Sequence, residues 1–309
     1  MRIIVLGSAA GGGFPQWNCN CDNCRRVRRG DPAFQPRTQS SLAVSDDGER
    51  WILLNTSPDL GRQIAATPAL HPRQGKRHSP IAAALLTNGD VDHVAGLLTL
   101  RESQPFSVYA SSRVRDVLAA NSIFNVLNRD LVRRENLPLG ERTALRDAEG
   151  TMLGIEAEAF AVPGKIALYL EDAAAGPGFG TQAGDTIGLT LRSSAGGKSL
   201  HYVPGCAGLS ADLAARLKGA ELLFFDGTLW RDDEMQRAGV GTKTGARMGH
   251  MSISGDKGSM AALAPLGIRR RVFIHINNTN PILASDSAER RACEAAGWSV
   301  AHDGMEIAL

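Results

Sequence analysis

The chain has 309 residues, 43% of them hydrophobic, and a formal net charge of +2. This length can bury a substantial core, and we expect a single domain over residues 1–309. The near-neutral charge argues against nucleic acid or an anionic membrane as a bulk partner, and no apolar run approaches the ~20 residues that span a bilayer. Residues 1–7 do not resemble a secretory signal, and five cysteines, three of them clustered, suit a reducing compartment, so the sequence predicts a cytoplasmic protein.

Eleven short apolar runs predict strands. They lie at residues 2–6, 41–44, 51–55, 81–86, 107–110, 155–162, 187–192, 199–203, 222–226, 271–276 and 305–309. Apolar residues at helical spacing predict helices at 112–127, 211–217, 257–266 and 285–296. The early strands follow one another like hairpins, whereas the later strands alternate with helices. This mixture favours an αββα sandwich, in which two sheets pack face to face with helices outside.

A cysteine cluster follows the first predicted strand and a glycine-rich turn. Cys19, Cys21 and Cys24 supply three thiols within six residues. A loop of this form can wrap a tetrahedral cation, and Zn²⁺ prefers four nitrogen or sulfur ligands. The alternative is a set of free thiols in a polar loop, which would oxidise readily when exposed. The spacing therefore predicts a structural zinc whose fourth ligand comes from elsewhere in the chain.

A second group of metal-binding side chains follows the predicted strand at 81–86. Asp90, Asp92 and His93 lie within four residues, and a loop would let them turn toward one cation. The alternative is an acidic turn whose residues serve only turn formation. The spacing alone leaves both interpretations open.

Residues 87–96 resemble the metal-binding loop of the metallo-β-lactamase superfamily, whose pattern is His-x-His-x-Asp-His. Asp92 and His93 match the second half of this pattern, whereas Asn88 and Asp90 replace its two leading histidines. The resemblance implies a metallo-β-lactamase-like αββα sandwich. It also implies a further metal ligand at His275, near the end of a later predicted strand.

The two-metal hydrolases of this superfamily carry a third histidine and a bridging aspartate that this chain lacks. Lys165 and Gly205 stand at or beside those places. The ligands that remain, the carboxylate and two histidines named above, are the donor set of non-haem Fe(II) oxygenases. The resemblance therefore implies one active-site Fe(II), with Asp90 as a further candidate ligand.

Three residues are candidates for catalysis. His250 aligns with a site histidine of hydrolases in the same branch of the superfamily, which implies an acid–base or substrate-orienting role. Asp226 ends a predicted strand, and Asp90 lies in the metal loop; both are spare acidic donors. The alternatives are a loop histidine that is only hydrogen-bonded and an aspartate that only caps a turn.

The glycine-rich turn, the cysteine cluster and residues 275–281 extend the resemblance over nearly the whole chain. They are similar to a branch that includes a phosphodiesterase of phosphonate breakdown, in which three cysteines and a distant histidine hold a structural zinc. Asn278 lies where that histidine would be, so it is the candidate fourth zinc ligand. An amide oxygen is a poor zinc ligand beside thiolates.

Within this branch, the sequence most resembles a family that acts in pyrroloquinoline quinone biosynthesis. The resemblance implies an iron-dependent oxygenase that hydroxylates the tyrosine ring of a Glu-Tyr-derived precursor. The implied partners are this small peptide-derived substrate and O₂, with a homodimer as the possible assembly. Two alternatives are a hydrolase that uses one metal ion and a carrier that binds the finished quinone cofactor.

Overall fold

The computed structural model describes residues 1–176 and 178–309, which contain fourteen strands and nine α-helices. The strands are β1 (Arg2–Gly7), β2 (Ser41–Ser45), β3 (Trp51–Leu54), β4 (Ile81–Leu85), β5 (Phe106–Ala110), β6 (Val132–Asn136), β7 (Arg142–Arg146), β8 (Met152–Ala161), β9 (Ile187–Ser193), β10 (Ser199–Val203), β11 (Leu222–Asp226), β12 (Arg270–Ile274), β13 (Trp298–Val300) and β14 (Glu306–Ala308). The helices are α1 (Asp22–Arg28), α2 (Leu60–Ala66), α3 (Val91–Val94), α4 (Ser112–Ala120), α5 (Ala211–Leu217), α6 (Glu234–Arg237), α7 (Gly245–Met248), α8 (Ser259–Leu263) and α9 (Ala288–Ala295).

The strands form two seven-stranded sheets, in the orders β14-β1-β2-β3-β4-β5-β6 and β13-β12-β11-β10-β9-β8-β7. Each sheet is half antiparallel and half parallel. In the first sheet the pairs from β14 to β3 are antiparallel and those from β3 to β6 are parallel. In the second sheet the pairs from β7 to β10 are antiparallel and those from β10 to β13 are parallel. Short connections suffice for antiparallel neighbours, whereas parallel neighbours need crossovers, which explains why helices appear between the parallel strands.

The core lies between the two sheets because alternate residues of each strand point inward. In β11, Phe224 belongs to the inner apolar cluster, whereas Leu223 and Phe225 face the helices of the second sheet. The inner cluster joins residues of both sheets, such as Leu54 and Leu189. Helices α2 and α4 cover the outer face of the first sheet, and α5, α8 and α9 cover that of the second. The predicted αββα sandwich is confirmed.

All eleven predicted strands are present, although β8 begins at residue 152 rather than 155. The prediction missed β6, β7 and β13. Strands β6 and β7 are the outermost strands of their sheets and are rich in arginine, so they lack the apolar run that marks a strand with two neighbours. The predicted helix at 112–127 is divided, because Asn121 adopts an extended conformation between α4 and a 3₁₀ turn at Ser122–Val126.

Two segments that we expected to be loops contain short helices. Helix α1 begins inside the cysteine cluster, and α3 carries Asp92 and His93. The 3₁₀ segment Ala95–Arg101, which follows α3, packs closely against the chain after β3 because Gly96 has no side chain. A Cβ atom there would collide with the carbonyl oxygen of Ser57, and the Gly96 amide donates to the carbonyl of Thr56 at 2.9 Å. Among the described residues, none of the helices has the length and apolar character required to cross a membrane.

Candidate metal centres

One candidate metal site lies where strands of both sheets end. Helix α3, after β4 of the first sheet, carries Asp92 and His93, and His275 directly follows β12 of the second sheet. Their ligand atoms all lie within 4.8 Å of one another. The Oδ2 atom of Asp92 is 3.1 Å from Nε2 of His275 and 3.7 Å from Nε2 of His93. The structure therefore brings together the three residues that the sequence assigns to iron.

The buried His93 ring is oriented by Asn88. The Nδ1 atom of His93 lies 2.7 Å from Oδ1 of Asn88, which can only accept, so Nδ1 carries the proton. The Nε2 atom is buried and has no hydrogen-bond partner among the described residues. A buried polar atom without a partner is costly, and a metal ion facing its lone pair would remove that cost. This geometry fits a metal ligand.

His275 is oriented in the same way by Thr228. The Thr228 hydroxyl lies 2.6 Å from Oδ1 of Asp226, to which it donates, and its oxygen is 2.9 Å from Nδ1 of His275. The hydroxyl has one proton, so it accepts from Nδ1–H of His275 and leaves Nε2 to face Asp92. Such outer partners fix the tautomer of a metal-binding histidine. The sequence analysis did not identify Thr228, since its contacts lie up to 47 residues away.

Asp226 and His250 form a hydrogen-bonded pair beside the metal ligands. The His250 Nδ1 atom lies 2.7 Å from Oδ2 of Asp226, and the His250 ring stacks on His275 with centroids 5.3 Å apart. Asp226 is fully buried and also accepts from the backbone amides of Cys206 and Thr228. Burial raises the pKa of Asp226, but the charge and hydrogen bond of His250 outweigh this effect, so the net pKa is lowered. Asp226 is therefore a carboxylate that holds His250.

The protonation of Asp92 and His93 suits a cation, whereas that of His275 opposes one. Burial lowers the pKa of His275, but the hydrogen bond and charge of Asp92 outweigh this effect and raise it, so protons compete with a metal ion for this ring. Burial raises the pKa of Asp92, but the neighbouring His93 and His275 rings, the latter also through a hydrogen bond, outweigh this effect, so the net pKa is lowered and Asp92 is ionised. Burial lowers the pKa of His93, which keeps that ring neutral. A carboxylate and a neutral imidazole are the forms that bind metals.

A cavity of about 330 Å³ opens beside these residues. Its lining includes Asp90 and Leu168, and the Leu168 amide donates to Oδ1 of Asp90 at 3.0 Å. Asp90 lies outside the groups of converging ligand atoms found in the described part of the chain. The assignment of Asp90 as an iron ligand stays a prediction. Its hydrogen bond with the Leu168 amide holds the Leu168 segment at the wall of the cavity.

The second candidate metal site is the cysteine cluster. The sulfur atoms of Cys19, Cys21 and Cys24 lie within 4.8 Å of one another. The Nδ2 atom of Asn278 is 3.1, 3.6 and 3.4 Å from them, so this side chain occupies the fourth corner. An amide nitrogen is a donor, not a ligand, and a half-turn of the amide would present Oδ1 instead. The hydrogen bond between Cys21 and Cys24 lowers the pKa of Cys24 to about 7 and raises that of Cys21, so it favours the thiolate that zinc requires at Cys24 only.

We expect Asn88→Ala to weaken metal binding without removing a ligand. The variant leaves Nδ1 of His93 without its acceptor, so the ring loses its fixed orientation. Loss of such an outer partner reduces metal affinity roughly 10–100-fold. Competition between the protein and a chelator for Fe(II) measures the change, and Asn125→Ala, an exposed asparagine, is the control. Unchanged affinity in Asn88→Ala would show that Asn88 does not orient His93.

Comparison with known proteins agrees with this fold. Residues 50–276 match the family profile described as Beta-lactamase superfamily domain. The chain is 55% identical to coenzyme PQQ synthesis protein B of a Methylorubrum extorquens strain, with 100% of both chains covered. It is 53% identical to a zinc-bound PqqB from Methylobacterium extorquens, whose crystal structure matches with a TM-score of 0.93 over 100% of both chains. A diphosphatase of the PhnP family, 21% identical over 99% of this chain and 97% of that chain, shares the fold with a TM-score of 0.68.

The paired mixed sheets and the Asp-His metal loop define a protein of the metallo-β-lactamase superfamily. Within this superfamily, the chain belongs to the family of coenzyme PQQ synthesis protein B. The resemblance found in the sequence is confirmed.

Proposed function

We propose that the chain acts in PQQ synthesis as a mononuclear non-haem iron oxygenase that hydroxylates the tyrosine ring of a Glu-Tyr-derived precursor. The observation that carries this proposal is the convergence of Asp92, His93 and His275, in which the buried Nε2 of His93 has no hydrogen-bond partner among the described residues. One carboxylate and two histidines leave coordination positions open for substrate and O₂.

At the positions where a second metal would need ligands, this chain has residues that make other contacts or have no side chain. Asn88 points its amide oxygen at His93, and the Lys165 ammonium is 3.0 Å from Glu171. Gly205 has no side chain to bridge two ions, and a Cβ atom there would be 3.6 Å from the His250 ring. Hydrolysis by two metals requires ions about 3.5–4 Å apart that share ligands. Asp226, His250 and His275 also bring ligand atoms within 4.8 Å of one another. In that group, however, Asp226 is hydrogen-bonded to Nδ1 of His250, and Nδ1 of His275 is hydrogen-bonded to Thr228. The donor set therefore favours chemistry at one metal.

Bound Fe(II) would supply the activation of O₂. The protein contributes the cavity that holds the ring and the pair that handles the phenolic proton. Because Nδ1 of His250 donates to Asp226, its Nε2 is free to accept a proton from a phenol in the cavity. The buried Asp226 carboxylate stabilises the imidazolium that results.

The same pair could activate water, which favours a hydrolase with one metal ion as the second candidate. A carrier of the finished quinone would show neither reaction. The distinguishing experiment supplies iron-loaded protein with the Glu-Tyr dipeptide, ¹⁸O₂ and ascorbate as the two-electron reductant. We expect oxygen uptake and one ¹⁸O atom in a catechol product, with the second oxygen atom reduced to water.

Zinc-loaded protein is the control for that experiment, since Zn²⁺ has no redox chemistry. Hydrolytic turnover without O₂, with no ring oxygenation in iron-loaded protein, would favour the hydrolase. Binding of the quinone with neither reaction would favour the carrier.

A further inference from the structure

We propose that Lys165 and Lys243 form a carboxylate-binding subsite in the wall of the metal cavity. We further propose that Glu171 and Arg247 position Lys165 there. The inference rests on the proposed function, because it names the substrate group that this same cavity recognises. The ligand is a carboxylate of a tyrosine-containing peptide-derived substrate.

The first observation is a fixed cluster of three charged side chains. Oε1 of Glu171 lies 3.0 Å from Nζ of Lys165. The two guanidinium nitrogens of Arg247 lie 3.1 and 2.7 Å from the two oxygens of Glu171, a bidentate pair. The guanidinium also lies 3.7 Å from the centroid of the Phe179 ring. The side chains of Lys165 and Glu171 are only 18% and 11% exposed, so this is not a loose surface pair.

The second observation is the surplus of positive charge. Arg247 already pairs with both oxygens of Glu171, so one cation of the cluster has no anion of its own. An ammonium has three donors, and Lys165 uses one of them on Glu171. Lys243 also lines the cavity and forms no ion pair with any residue that the structure describes. Two ammonium groups beside one cavity would attract an anionic ligand.

The third observation is the placement of Lys165 relative to the reactive groups. Its Cγ atom packs on Gly249, where a Cβ atom would lie only 3.1 Å away and where φ is +86°. Glycine therefore lets the lysine side chain contact the backbone directly before His250. Lys165, His250 and the metal ligands line the same cavity. A substrate could place its ring near the ligands while its carboxylate meets Lys165.

Asp90 and Asp92 also line this cavity, and each has a partner. Asp92 faces the two histidines and would be neutralised by a metal ion, whereas Asp90 accepts from the Leu168 amide. The negative charge of the cavity is therefore next to the metal ligands, and its positive charge is next to Lys165. This separation favours a substrate that carries its anion away from the ring.

The test measures equilibrium binding to zinc-loaded protein by calorimetry, without O₂ or turnover. The probes are Glu-Tyr, Gln-Tyr, which lacks the glutamate carboxylate, and Glu-tyramine, which lacks the terminal carboxylate. Lys165 recognises one of the two carboxylates, so only one of the two analogues lacks the recognised group. We expect Glu-Tyr to bind about tenfold more tightly than that analogue. In Lys165→Met, we expect that preference to disappear, whereas Lys165→Arg keeps part of it.

Lys218→Met, a change of an exposed lysine at the end of α5, is the matched control and should leave all three affinities unchanged. The proposal is overturned if the wild-type protein binds the three probes alike or does not bind Glu-Tyr. It is also overturned if Lys165→Met weakens all three equally, which would indicate only a structural role. A carboxylate preference that depends on Lys165, in a protein that oxygenates nothing, would support the subsite and contradict the proposed oxygenase.

Discussion

His93→Ala should abolish iron retention and O₂-dependent product together. The variant removes one of the three proposed iron ligands and leaves Asn88 without its imidazole partner. Two remaining ligands hold Fe(II) too weakly to survive gel filtration, so we expect iron content to fall from about one per chain to near zero. Metal analysis of the purified protein and oxygen uptake with Glu-Tyr measure both effects.

His201→Ala is the matched control, because His201 is buried like His93 but lies outside the converging ligand groups of the described residues. It should lose stability while it keeps its iron. Asp90→Ala should reduce activity with less metal loss, since its visible contact is with the Leu168 amide. Full iron content with full activity in His93→Ala would contradict the assignment.

Cys21→Ser should remove the structural zinc and lower the midpoint of thermal unfolding. A serine hydroxyl is not a thiolate, so the site loses a ligand whose binding is coupled to folding. The cluster also joins α1 to the segment after β12, where Asn23 donates to the carbonyl oxygens of Asn278 and Asn280, both at 3.1 Å. We expect zinc near zero per chain and a midpoint lowered by about 10 °C.

The sulfur of Cys21 lies 3.9 Å from the carbonyl oxygen of Asn278, three residues after His275, so iron affinity should fall as well. Cys293→Ser is the control, because Cys293 is a buried free thiol in α9. It should keep its zinc, which metal analysis of iron-loaded protein would show. One zinc ion per chain in Cys21→Ser would exclude the cysteine cluster as the zinc site.

The sequence by itself determined the class of fold and the candidate metal-binding residues. Strands with two neighbours bury both faces, so β4 and β11 appear as apolar runs that need no structure to be recognised. The Asp92-His93 pair and the cysteine cluster are likewise local patterns. These features can be recognised in the sequence because the residues that define them are close together in the chain.

The tertiary structure decided how those residues are held. In the sequence, Asn88 is recognised only as a replacement for a histidine of the superfamily pattern, whereas the fold shows that it orients His93. Lys165 likewise stands where the superfamily has a histidine ligand. In the fold it pairs with Glu171, and Arg247, 76 residues further along the chain, completes this charged cluster. Hydrogen bonds and ion pairs depend on distances of a few ångströms between side chains from different strands and loops. Spacing along one chain does not encode those distances, so only the packing of the two sheets reveals which polar groups meet.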